Sequence, residues 1–154
     1  MTRFLCTLAL GVALLAQPAQ AQDEDGIVRV EAAGDVTTTM DGLEGAVRGA
    51  GATVFARVDH AAGAEAAGMA LPPAQLLVFG NPKLGTPAMQ DAPLAGLFLP
   101  MRVLVYRDGD GQVWLAYQDP AAMLGALDGI SPGAGYVDKM TGALRKLTAK
   151  AAGT

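Results

Sequence analysis

"LPMRVLVYRDGDGQVWLAYQDP", Leu99 to Pro120, is the stretch that decides how this chain folds. Two apolar runs, LPMRVLVYR and QVWLAYQ, flank Asp108-Gly109-Asp110-Gly111, and an Asp/Gly turn between such runs is the signature of an antiparallel hairpin. A two-residue turn at Gly109-Asp110 places Arg102 across from Tyr117 and Tyr106 across from Val113. Along the second strand Val113, Leu115 and Tyr117 point one way, Trp114 and Ala116 the other.

Downstream, Asp119-Pro120 caps a short helix carrying Met123, Leu124 and Leu127, and the glycine-rich turn DGISPGAG follows. Val137, Met140, Leu144 and Leu147 then recur at helical spacing, which predicts a helix from Tyr136 to about Lys150. Asp138 stands early and Arg145, Lys146 and Lys150 late, as the helix dipole prefers. Upstream, IVRVEA (Ile27 to Ala32) reads as a strand. Thr38 and Asp41 mark a helix cap, with Leu43, Ala46, Val47 and Ala50 as the buried face up to Gly51. TVFARVDH (Thr53 to His60) returns to strand chemistry, Ala61 to Met69 forms a short helix ended by Pro72-Pro73, and QLLVF (Gln75 to Phe79) is a further strand. Thr86 and Pro87 look like the cap and first residue of a helix ending by Pro93. Five strands against two substantial helices predict a two-layer α+β domain: a largely antiparallel sheet covered by helices.

The amino terminus carries one basic residue, Arg3, an apolar run from Phe4 to Ala16, and the small-x-small site Ala19-Gln20-Ala21. This is the pattern of a signal peptide over residues 1–21, followed by an acidic linker at 22–26. The expected organisation is completed by a single domain over 27–150 and a flexible tail at 151–154. The chain is then periplasmic or otherwise secreted, and the mature part does not span a membrane. Cys6, the only cysteine, leaves with the signal, so disulfides and thiolate chemistry are excluded from the mature chain. The formal net charge of −4 disfavours nucleic-acid binding, which needs clustered Lys and Arg.

Several motifs fail on inspection. A calcium loop through Asp108 and Asp110 would put Tyr106 and Tyr117 at its first and twelfth positions, neither of them a carboxylate. GNPKLG lacks the Gly-Lys-Ser/Thr ending of a phosphate-binding loop, and there is no dinucleotide fingerprint or Gly-x-Ser-x-Gly nucleophile motif. No cofactor is implied.

Four residues are candidates for a binding rim. His60, the single histidine, closes a strand whose Val54, Ala56 and Val58 share its face, and reads either as a capping group or as ligand-facing. Asn81, in Gly80-Asn81-Pro82, either holds a turn through its carboxamide or, beside the amides near Gly85 and Thr86, holds a polar group. Arg102 and Tyr117, paired across the hairpin, either pack on the solvent face or bracket a carboxylate or aromatic ligand. A Cu(I) site from His60, Met69 and Met89 suits thioether and imidazole chemistry where thiolates are absent, and requires both methionine segments to fold onto the end of one strand.

The ordered succession VDH (Val58 to His60), FGNP (Phe79 to Pro82), GTPAM (Gly85 to Met89), LPMRVLVYRD (Leu99 to Asp108) and YQDP (Tyr117 to Pro120) resembles the domain of unknown function 302 family, over roughly Arg29 to Lys146. The resemblance implies a compact α+β domain and a homodimer, and brings no established activity, substrate or catalytic residue. The functional expectation is a module binding a small polar ligand or a partner protein. Alternatives are a structural homodimer, a Cu(I) protein, and an enzyme using His60 with Tyr117 or Asn81 to orient a substrate.

Overall fold

The computed structural model describes residues 21–22 and 26–153. The signal segment expected over 1–21 and the linker over 22–26 fall almost wholly outside these residues. In chain order the elements are β1 (Ala21–Gln22), β2 (Ile27–Ala32), α1 (Val36–Gly49), β3 (Thr53–Asp59), α2 (His60–Ala66), β4 (Ala74–Gly80), α3 (Pro82–Asp91), a 3-10 turn (Pro93–Leu97), β5 (Met101–Arg107), β6 (Val113–Gln118), α4 (Pro120–Gly125) and α5 (Gly135–Ala152). The strand order is β1-β2-β6-β5-β4-β3, and every pairing is antiparallel. Five full strands and the two-residue β1 thus form one layer and the main helices the other, the α+β arrangement expected from the alternation of patterns.

The core lies between the sheet and the pair α1 and α5. Val28, Val30, Leu77, Phe79, Val103, Val105 and Leu115 project from the strands onto Met40, Leu43 and Val47 of α1 and Met140, Leu144 and Leu147 of α5, all buried. Period-two burial along β2, β5 and β6 and three-and-four burial along the helices are the two periodicities that let one face of each element leave water.

Local chemistry corrects several boundaries. Asp35, not Thr38, caps α1: its carboxylate accepts from the Thr38 amide at 2.8 Å and from the Thr38 hydroxyl at 3.2 Å. Asp41 instead accepts from Arg57 at 2.6 Å, tying α1 to β3. α3 begins at Pro82, with Asn81 as its cap and Pro87 inside the helix, because Asn81-Pro82 supplies the same cap-and-first-turn chemistry five residues before Thr86-Pro87. α5 runs to Ala152, which is buried, and ends on Gly153 at φ +79; residues 151 and 152 are therefore helical rather than part of a flexible tail.

The hairpin also differs by one residue from the expected pairing. Leu104 pairs with Ala116, Tyr106 with Trp114 and Arg107 with Val113. The cause is a three-residue loop, Gly109 to Gly111, in which Gly111 takes φ +87. Asp108 fixes that loop by accepting from the amides of Asp110 (3.0 Å) and Gln112 (2.9 Å) and from Trp114 Nε1 (2.7 Å). The indole bond foremost holds the Asp108 carboxyl below the usual carboxylate range. Because side chains alternate, Arg102 and Tyr117 fall on opposite faces of the sheet.

Candidate functional site

His60 is an exposed first residue of α2, just past the end of β3. The Asp59 carboxylate caps that helix, accepting from the Ala62 amide at 2.9 Å. A bulge between Val54 and Ala56 splits the strand, so Val54 pairs with Phe79 on the helix side while Ala56 and Val58 pair with Val78 and Leu76 on the other. The expected single face from Val54 to His60 is absent, since the bulge resets the alternation.

Asn81 occupies the opposite end of the same strand pair. Thr53 pairs with Gly80 and Asp59 with Gln75, so His60 and Asn81 are separated by the length of β3, roughly 20 Å at about 3.3 Å per residue. Met89, on α3, belongs to the Asn81 end, whereas Met69 follows α2 at the His60 end. The structure therefore does not bring His60, Met69 and Met89 together as a Cu(I) set. Nor does it bring His60 into reach of Asn81 or Tyr117 as an acid or base. Among the described residues no group of three or more His, Cys, Asp or Glu side chains is placed to hold a metal ion, and no helix is long and apolar enough to cross a membrane.

Tyr117 is buried beneath α5, and its hydroxyl has no partner in hydrogen-bonding geometry. Burial, reinforced by the nearby Asp119 charge and opposed by Arg145 and Thr148, raises its pKa above the ordinary tyrosine value. Arg102 stands exposed on the far face of the sheet.

Of the four candidates, Asn81 lines the apolar cavity bounded by α3, α5 and the β3–β4 end of the sheet. Its carboxamide oxygen accepts from the Lys83 amide at 3.0 Å, so the capping role is realised, and the same residue sits at the mouth of a cavity of about 500 Å³. The walls come from four directions. Ala50 and Ala52 close it after α1, Phe55 and Phe79 come from β3 and β4, Leu84, Thr86 and Met89 from α3, and Leu99 and Pro100 from the turn into β5. Met140, Ala143, Leu144 and Leu147 of α5 form the floor. The bulge is what swings Phe55 to this rim, where it remains 56% exposed, and Met89 is likewise exposed beside it. Asn81 and Thr86 are the polar side chains of an otherwise apolar lining, the composition of a small-molecule site.

Phe55 and Leu99 read in the sequence as strand residues and Leu144 as part of the buried face of the last helix. The one local sign of the site was the Gly-Asn-Pro step, which ends β4 and starts α3 and so holds two walls apart.

Residues 28–150 match the family described as "Domain of unknown function DUF302". The chain belongs to this family. The crystal structure of an uncharacterised conserved DUF302 protein from Bacillus stearothermophilus aligns with a TM-score of 0.65 at 18% identity, covering 82% of this chain and 95% of that one, and shows the same fold. Proteins named fluoride-specific ion channel FluC 1 of Brucella suis and FluC 2 of Brucella melitensis are 47% identical over 98 residues, which is 64% of this chain. The shared stretch is 39% and 36% of those two proteins, so the chain spans less than two-fifths of their length.

Proposed function

We propose that this DUF302 domain is a binding module for a small, predominantly apolar ligand held between α3, α5 and the β3–β4 end of the sheet. The observation that carries this reading is the cavity of about 500 Å³ floored by Met140, Leu144 and Leu147, with its polar groups confined to Asn81 and Thr86 at the mouth. Such a volume accommodates a ligand of drug or short-lipid size, and burial of its apolar surface supplies the affinity. His60 has no part in this reading. We extend the proposal to an exported setting, on the strength of the signal pattern ending at Ala21, and to the Brucella proteins named as fluoride channels, where the shared region would serve as an attached binding module beside the part that conducts.

The neutral apolar fluorophore N-phenyl-1-naphthylamine tests the site. Its emission should rise on binding the folded protein, the rise should vanish in Ala143→Trp, which plugs the floor without deleting a core side chain, and it should persist in His60→Ala. A folded Ala143→Trp protein that binds the probe as the wild type does would refute the assignment.

A further inference from the structure

The apolar cavity limits the chemistry of what it can hold, through the charge of its lining and the hydrogen bonds already made at its mouth. No ionisable side chain lines it. Lys83, Arg102, Lys139, Arg145 and Lys146 each neighbour a lining residue in the chain, yet all five are exposed and lie outside the lining. A charged group drawn into the cavity would give up water without meeting an opposite charge, which is far more costly than burying a neutral polar group. The start of α3, at the mouth, offers no backbone donor either. Pro82 has no N–H, the Lys83 amide donates to Asn81 Oδ1 at 3.0 Å, and the Leu84 and Gly85 amides donate to the Asn81 carbonyl oxygen at 2.9 and 3.0 Å. The amides that make a helix start a binder of anions are thus engaged by the cap.

Two side chains are left to meet a polar group. The cap fixes which way the Asn81 carboxamide is turned, since only its oxygen can accept from the Lys83 amide. Its amino group, which donates and does not accept, has no partner among the described residues. The Thr86 hydroxyl, also in the lining, makes no hydrogen bond to a described residue, but a hydroxyl both donates and accepts and so discriminates little. On the reading that this cavity binds an apolar ligand, we propose that the ligand is an uncharged compound whose apolar body carries a carbonyl-type acceptor, as in a ketone, ester or tertiary amide, and that Asn81 Nδ2 is the donor that selects it. The oxygen of Asn81 builds the helix start while the nitrogen reads the ligand.

2-Acetonaphthone, its isosteric hydrocarbon 2-isopropenylnaphthalene and the anion 2-naphthoate test this by displacement of N-phenyl-1-naphthylamine. Asn81→Asp removes the donor and Asn81→Ser withdraws it, while each keeps an oxygen that caps α3. Both should weaken the ketone about threefold to tenfold, the fold-change of a neutral hydrogen bond, and leave the hydrocarbon within about twofold of wild type. The infrared carbonyl stretch of the bound ketone should lie below its value in an alkane solvent, and should move back towards that value in both variants. Naphthoate should compete about tenfold or more weakly than the ketone. If the dye binds but neither variant moves the ketone's affinity or its carbonyl stretch, or if naphthoate competes as well as the ketone, the ligand class is wrong while the cavity still binds. If the dye does not bind wild-type protein, the cavity reading falls and the ligand class with it.

Discussion

Gly129 carries a quantitative test of how the wall of the apolar cavity is held. It lies in the loop between α4 and α5 at φ +98, and a Cβ built on it would enter the van der Waals envelope of the Asp91 carbonyl oxygen and come within 3.3 Å of the Asp91 carbonyl carbon. Both atoms are backbone at the end of α3, the helix that carries Leu84 and Met89 to the cavity. Gly111 supplies the control, since it has a similar dihedral, φ +87, with nothing within 4 Å of an added Cβ. An alanine at either position incurs the cost of an L-residue in a sparsely populated region, about 1–3 kcal/mol. Gly129→Ala alone adds overpacking against backbone, about a further 1–3 kcal/mol. Urea unfolding followed by circular dichroism, analysed by linear extrapolation with similar slopes for both variants, should place Gly129→Ala below Gly111→Ala by that second amount. If the two variants lose equal stability, α3 is not pinned by this close approach. If they differ as expected, Gly129→Ala should also weaken N-phenyl-1-naphthylamine binding, and Gly111→Ala should not.

Other outcomes follow from single residues. Tyr117→Phe removes a buried hydroxyl without a partner and should leave stability within about 1 kcal/mol of wild type at neutral pH. Because the folded pKa of Tyr117 is raised, wild type should lose stability relative to Tyr117→Phe as pH rises from the unfolded value, about 10, through the folded one, a divergence readable in denaturant melts across that range. Asn81→Ala deletes the cap of α3 and should cost about 1 kcal/mol by the same melts. Leu144→Ala, at a fully buried floor position, should cost about 2–5 kcal/mol and enlarge the cavity, so that a bulkier neutral fluorophore gains affinity over wild type. Amino-terminal sequencing of protein recovered from an exporting host should begin at Gln22.

What the sequence made legible is the set of elements whose burial is periodic. β2 occupies the expected Ile27–Ala32, and Val137, Met140, Leu144 and Leu147 define the buried face of α5, because a single face against one core imposes its own period on the residues. The site was less legible for reasons that are geometric. Whether the Asp108 loop holds two residues or three depends on hydrogen bonds from Gln112 and Trp114, and that one residue decides whether Arg102 and Tyr117 share a face. A bulge at Phe55 leaves no mark in composition, yet it cancels the alternation that tied His60 to Val54. Asn81 and His60 stand 21 positions apart in the sequence, and only the antiparallel pairing of β3 with β4 shows that they sit at opposite ends. The cavity floor joins α5 to α1, α3 and two strands, a convergence no single segment can announce.

The β3 margin of the sheet bears on how such a protein avoids sticking to its own kind. A long, flat outermost strand offers a row of free amide and carbonyl groups on which a foreign strand can grow. That margin is β3, kinked by its bulge and tethered by Arg57 to Asp41 and to Gln75 at 2.9 Å. It offers no straight template, so strand addition at that margin is discouraged even in a chain whose hydrophobic fraction is 51%. Straightening β3 by deleting Phe55 would remove that safeguard, and fibrillar precipitate should accompany the loss of that cavity wall.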